Sequence, residues 1–125
     1  MNSQSAYAVE APLALLNGKI LLPSSKSISN RILIIQALSK NSRPVKSLSD
    51  SDDTRVMLQA FKSESPVLNV GHAGTAMRFL TAYLSTIPGE RVLTGSDRMK
   101  QRPVKILVEA LQKLGAGIEY LENRG

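Results

Sequence analysis

The stretch VLNVGHAGTAMRFLTAYLS, residues 67–85, decides the fold class. Its first four residues read as a short strand, Gly71-His72-Ala73-Gly74 as a tight turn, and residues 75–85 as a helix with Ala76, Phe79, Leu80 and Tyr83 on its apolar face. A strand that turns within four residues into a helix is the unit of a layered sheet with helices. The same unit recurs on both sides. Downstream, Pro88-Gly89 is a turn, residues 91–93 a strand and residues 95–102 a polar loop that delivers Pro103 to the first turn of a helix reaching Leu114. Gly115 is the natural stop of that helix, and residues 118–121 make a final strand. Upstream, residues 45–48 read as a strand, followed by an acidic helix start at residues 50–53 and a helix carrying Val56, Met57, Ala60 and Phe61 to about Lys62. Pro23 ends an earlier extended run, and the spacing of Ile28, Ile32, Ile35 and Leu38 predicts a helix over residues 27–38 with one apolar stripe. Residues 7–11 and 19–22 are expected strands around an Asn17-Gly18 hairpin turn. The fold class is therefore α/β, or α+β in some schemes.

Composition narrows the chemistry. A chain of 125 residues, 42% hydrophobic, buries one ordinary core. It has no cysteine and a single histidine, His72, which removes disulfides, thiolate metal sites, cysteine nucleophiles and histidine-based zinc clusters. No metal site is expected. No apolar run has the roughly 18 to 20 residues that span a bilayer, and Met1 to Ser5 lack the order of a secretory signal, so the cytoplasm is the expected compartment and no membrane partner is expected. Sixteen Lys and Arg against ten Asp and Glu give a formal net charge of +6, which favours an anionic partner. Aromatics make up only 4% of the chain, thin for a surface that stacks bases, so nucleic acid is not the expected partner.

Three helix starts carry cations. A helix N-terminus offers unpaired N–H groups and partial positive charge, which suits it to anions. In LPSSKSISNR, residues 22–31, Lys26 stands at the start and Arg31 follows about one turn later, with Ser27 available to cap or to donate to a ligand. The plainer reading makes the serines caps and Lys26 a solvated side chain. Glycines that would make this a nucleotide P-loop are missing. In AGTAMR, residues 73–78, Gly74 permits close ligand approach, although a simple strand-to-helix turn accounts for it equally well. His72 on this turn reads first as a hydrogen-bonded structural residue. In RMKQRP, residues 98–103, three cations in five residues precede a helix whose dipole they oppose, unless an anion or Asp97 compensates. Asp53, in the acidic start, is positioned by sequence to buffer Lys26 or Arg31.

Taken together, these three segments, with SDD at residues 51–53 and the helix ending at Gly115, resemble the 5-enolpyruvylshikimate-3-phosphate synthase family over nearly the whole chain. The resemblance implies repeated strand-helix units of the enolpyruvyl transferase fold, here as an incomplete lobe. Residues 1–25 would belong to the other lobe and residues 26–125 to the shikimate-3-phosphate-binding lobe. It implies transfer of the enolpyruvyl group of phosphoenolpyruvate to the 5-hydroxyl of shikimate 3-phosphate, in the shikimate pathway to aromatic amino acids. Phosphate leaves through a tetrahedral addition–elimination intermediate, with no cofactor. By the same resemblance Lys26, Ser27 and Arg31 hold shikimate 3-phosphate, Lys26, Gly74 and Arg98 hold phosphoenolpyruvate, and Asp53, His72, Thr75 and Arg78 support them.

The sequence departs from the family's usual pattern at Ser25 (usually Gly), His72 (usually Asn) and Phe79 (usually Pro), and residues 61–71 are shorter than usual. These departures bear on the shape of the phosphoenolpyruvate pocket and on glyphosate response. The acid–base residues of the family's second half have no counterpart here. The chain is therefore expected to be an N-terminal fragment, inactive alone, whose partner is the missing C-terminal half. The rival readings are a fragment of the enolpyruvyl transferase acting on UDP-N-acetylglucosamine, whose usual Lys-Asn pair is here Lys26-Ser27, a non-catalytic anion-binding module, and a subunit completed by another chain.

Overall fold

The computed structural model describes residues 7–11, 15–40 and 43–122. Among these, the order is α1 (Lys26–Leu38), α2 (Asp52–Lys62), β1 (Val67–Asn69), α3 (Gly74–Leu84), β2 (Val92–Thr94), α4 (Asp97–Lys100) and α5 (Lys105–Lys113). The two strands pair in parallel, with Val67 opposite Val92, Leu68 opposite Leu93 and Asn69 opposite Thr94. Parallel neighbours need a crossover, and α3 supplies it, so the stretch quoted first is the β-α half of a β-α-β unit. The mixed helix and strand architecture agrees with an α/β class. No described helix is long and apolar enough to cross a membrane.

The core lies where α1, α2 and α3 meet the sheet. Leu33, Met57, Val70, Ala73, Ala76, Leu80 and Met99 form one buried cluster, with Met77 and Phe79 packed against it. The Phe61 ring meets the Tyr83 ring edge-on, with centroids 5.2 Å apart. Gly115 ends α5 as expected: its φ is +97°, its N–H donates to the Gln112 carbonyl at 2.9 Å, and the Ala116 N–H reaches back to Leu111 at 3.0 Å. That pair of bonds satisfies carbonyls the helix would otherwise leave open.

Four expectations fail. Residues 7–11 and 19–22 form no described ladder; residues 12–14 of the expected hairpin lie outside the described residues. Leu15, Leu16, Ile20, Leu21 and Leu22 are all at least 82% exposed, so nothing there offsets the cost of ordering an isolated hairpin. Residues 45–48 are not a strand, because Ser47 takes a φ of +56° and breaks the extended run. Residues 118–121 have no strand partner among the described residues. The polar loop of residues 95–102 contains the short helix α4, capped by Ser96 and pinned by Met99, which is 4% exposed. The helix α5 then starts at Lys105, two residues after Pro103.

The face of α1 also differs from expectation. Ile28, Ile32, Ile35 and Leu38 are exposed, whereas Ser29, Asn30 and Leu33 are buried. Spacing found the apolar stripe, but the inward face is chosen by hydrogen bonds. The Ser29 hydroxyl accepts the Ser49 N–H at 2.9 Å, and Asn30 Oδ1 accepts the Thr54 hydroxyl at 2.8 Å. Both bonds lock α1 to the start of α2.

Candidate functional site at converging helix starts

The site is built from the N-terminal ends of three helices. Ser25 caps α1, its hydroxyl accepting the Ile28 N–H at 3.4 Å, so the cap is Ser25 and the Ser27 hydroxyl makes no bond among the described residues. Lys26 follows as the first helical residue, with its side chain 46% exposed. Ser51 caps α2 through the Thr54 N–H at 3.4 Å. This leaves the Asp53 carboxylate free of any capping duty in its own helix.

Asp53 instead joins the other two helices. Its Oδ2 lies 3.5 Å from Lys26 Nζ, and its Oδ1 accepts the Thr75 N–H at 3.1 Å. The reason is visible in α3, whose N-cap residue is Ala73 and has no side-chain acceptor. A carboxylate from α2 fills that role, and its negative charge suits the positive end of α3. The side chain of Asp53 is only 14% exposed, which limits its screening by water.

Around Gly74 the contacts are steric. No positive φ requires glycine there; a Cβ would instead press on the Arg102 guanidinium, 3.0 Å from its Cζ. Arg78 fastens the same region, donating from Nη1 to the Gly74 carbonyl at 3.4 Å and from Nη2 to the Pro103 carbonyl at 3.1 Å. Arg31 donates from Nη1 to the Ser27 carbonyl at 2.9 Å and lies over the Phe79 ring, 5.8 Å from its centroid. One of the departures from the family's usual pattern, Phe79, thus provides a cation–π support for Arg31.

His72 Nδ1 and the Ser96 hydroxyl are 2.9 Å apart, and the Ser96 N–H donates to the Gly71 carbonyl at 3.0 Å. These bonds tie the glycine turn to the start of α4, as a structural histidine would. Arg98 is exposed and makes no hydrogen bond or ion pair among the described residues. Its setting corrects one argument from sequence: Arg98 and Lys100 occupy α4, with Asp97 in its first turn, rather than opposing the dipole of α5. Lys26, Asp53, Thr75, Gly74, Arg78 and Arg102 are linked through contacts; Arg31 and Ser27 form a second group on α1, and Arg98 stands apart from both. Arg102 is the residue that sequence reading passed over, although it is the third cation of the run at residues 98–103. No group of three or more His, Asp or Glu among the described residues could hold a metal.

Such a surface gathers cations and helix starts around one carboxylate, Asp53. It is suited to a polyanion. The family model described as EPSP synthase (3-phosphoshikimate 1-carboxyvinyltransferase) matches residues 11–63 and 61–125. The chain belongs to the EPSP synthase family. Among relatives named 3-phosphoshikimate 1-carboxyvinyltransferase, one from Bacteroides fragilis strain YCH46 is 55% identical over 119 residues, covering 95% of this chain and 29% of its own length. One from Actinobacillus pleuropneumoniae serotype 5b is 42% identical, covering 92% of this chain and 33% of its own. A Bordetella pertussis relative is 43% identical, with 96% and 32% covered. The chain thus spans about a third of the length of these EPSP synthase relatives, and their shared name does not favour the UDP-sugar rival.

Proposed function

We propose that this chain forms part of the substrate site of an enolpyruvyl transferase that moves the enolpyruvyl group of phosphoenolpyruvate onto the 5-hydroxyl of shikimate 3-phosphate. The C–O bond to phosphate breaks and inorganic phosphate leaves. Lys26 contacts both substrates, Ser27 and Arg31 hold shikimate 3-phosphate, and Gly74 and Arg98 hold phosphoenolpyruvate. Asp53, His72, Thr75 and Arg78 keep them in place. Residues 1–25 belong to one lobe and residues 26–125 to the other, and the acid–base groups come from the part of the relatives' length that this chain does not span. No cofactor takes part, and the protein works in the cytoplasm.

The observation that carries this reading is Asp53 bridging Lys26 and the Thr75 N–H, because it fixes a cation beside the start of α3. Bringing two repelling anions together and neutralising charge as it develops is the task such an arrangement performs. Calorimetric titration of the chain with shikimate 3-phosphate tests it. Saturable binding that Arg31→Ala weakens is expected, with no phosphate release when phosphoenolpyruvate is added. Binding indifferent to Lys26→Ala and Arg31→Ala would overturn the assignment, as would substantial turnover by the 125-residue chain alone.

A further inference from the structure

Arg31 is held by uncharged groups. Its Nη1 donates to the Ser27 carbonyl of its own helix at 2.9 Å, and its guanidinium carbon lies over the Phe79 ring, 5.8 Å from the centroid. Among the described residues no carboxylate pairs with it. Lys26 is the contrast, because Asp53 stands 3.5 Å from that cation. Most of the N–H donors of the Arg31 guanidinium therefore stay open to an incoming anion. The ring beneath it is itself fixed, since Phe79 packs against the buried cluster that contains Leu33 of α1 and Leu80 of α3.

We infer that Phe79 is a positioning residue for shikimate 3-phosphate: its ring holds the Arg31 guanidinium ready to fork onto an anionic group of that ligand and leaves the charge undiminished. The inference rests on the proposed function for its ligand, and on geometry alone for the hold of Phe79 on Arg31. An unrestrained arginine samples many rotamers, and ordering it costs free energy each time a ligand binds. A carboxylate would restrain it, but would repel the arriving anion or have to be displaced. An aromatic face restrains the cation through its quadrupole and does neither. Core filling accounts for the packing of Phe79 but not for a guanidinium over its face. Proline, usual at this position in the family's pattern, offers no such face, so the support belongs to this chain's own sequence. Phe79 lies on α3, whose first turn carries Gly74 and Thr75, yet its ring meets α1. Losing the ring face is therefore expected to affect shikimate 3-phosphate and not phosphoenolpyruvate.

The test uses the 125-residue chain with phenylalanine or mono-, di- or trifluorophenylalanine at position 79, a series that weakens the ring quadrupole stepwise with little change in size. Calorimetry is expected to show affinity for shikimate 3-phosphate falling with each added fluorine, by about two- to fivefold in total. Phe79→Leu should show the same loss, Phe79→Tyr should keep the parent affinity, and phosphoenolpyruvate binding should follow neither. Affinity that ignores fluorination, or an equal loss for phosphoenolpyruvate, overturns the inference and leaves Phe79 as core filling. A substrate-free measurement separates this outcome from failure of the proposed function. Side-chain resonances of Arg31 are expected to be shifted upfield by the ring in the parent and to lose that shift in Phe79→Leu. Identical Arg31 resonances in the two chains overturn the inference whatever binds. A parent chain that shows the shift but does not bind shikimate 3-phosphate overturns the proposed ligand instead, and with it the substrate role given to Phe79.

Discussion

Asp53 caps a helix to which it does not belong: its Oδ1 accepts the Thr75 N–H at 3.1 Å, at the start of α3, while Asp53 itself sits in the first turn of α2. A single carboxylate therefore fixes the relative placement of three helix ends and pairs with Lys26. Replacing it separates two effects. Asp53→Ala is expected to destabilise the chain by about 1 kcal/mol, the usual cost of a lost cap, with the exposed Lys26 pair adding little. Asp53→Asn, which keeps an acceptor, should recover most of that loss in urea denaturation. An unchanged midpoint for Asp53→Ala would show that the cap is not used in solution.

Position 74 is glycine for space rather than for backbone conformation. Because the group in the way is the far end of the flexible Arg102 side chain, Gly74→Ala is expected to leave stability within about 1 kcal/mol of the parent, helped by the better helix propensity of alanine. Its effect should fall on anion affinity, through the displaced guanidinium. In an Arg102→Ala background, Gly74→Ala should then change phosphoenolpyruvate affinity much less than in the parent. Equal effects in the two backgrounds, measured by calorimetry, would break the link between these residues.

Lys100 has its pKa raised above the ordinary lysine value, chiefly by the hydrogen bond to Glu122, then by the negative charge of that group. A raised pKa in the folded chain means that the contribution of the pair is complete below the ordinary lysine value and disappears as pH climbs through the raised one. Neutral pH leaves the tether of residues 118–122 intact. Titration of the Lys100 Cε resonance should show an elevated midpoint that Glu122→Gln returns towards normal. A midpoint that ignores Glu122→Gln would rule out the pair.

Gly115 offers a purely local test. With φ at +97°, an alanine there is strained whatever the space around it, and open space surrounds the position. Gly115→Ala is expected to lower stability by about 1 kcal/mol and to fray the end of α5 first. Thermal denaturation with amide exchange at Leu111 and Gln112 would detect both, and an unaltered melting temperature would contradict the Schellman arrangement.

Local rules were legible in residue order. The turn at residues 71–74, the serine cap before α1, the stop at Gly115 and the burial of Met57, Ala76 and Leu80 follow from spacing, dihedral freedom and apolar periodicity, all of which act within a few residues. The three basic segments were equally visible, because lysine and arginine beside helix starts are a property of adjacent positions. What residue order could not supply is anything that depends on a neighbour far along the chain. The inward face of α1 was decided by Ser49 and Thr54, which outcompete the apolar stripe by satisfying buried polar groups. The cap of α3 came from Asp53, 22 residues earlier, and the need for glycine at 74 from Arg102. Strands fared worst for the same reason: residues 19–22 and 118–121 have strand-like sequences, but a strand exists only when a second edge stands beside it, and only the tertiary arrangement decides that.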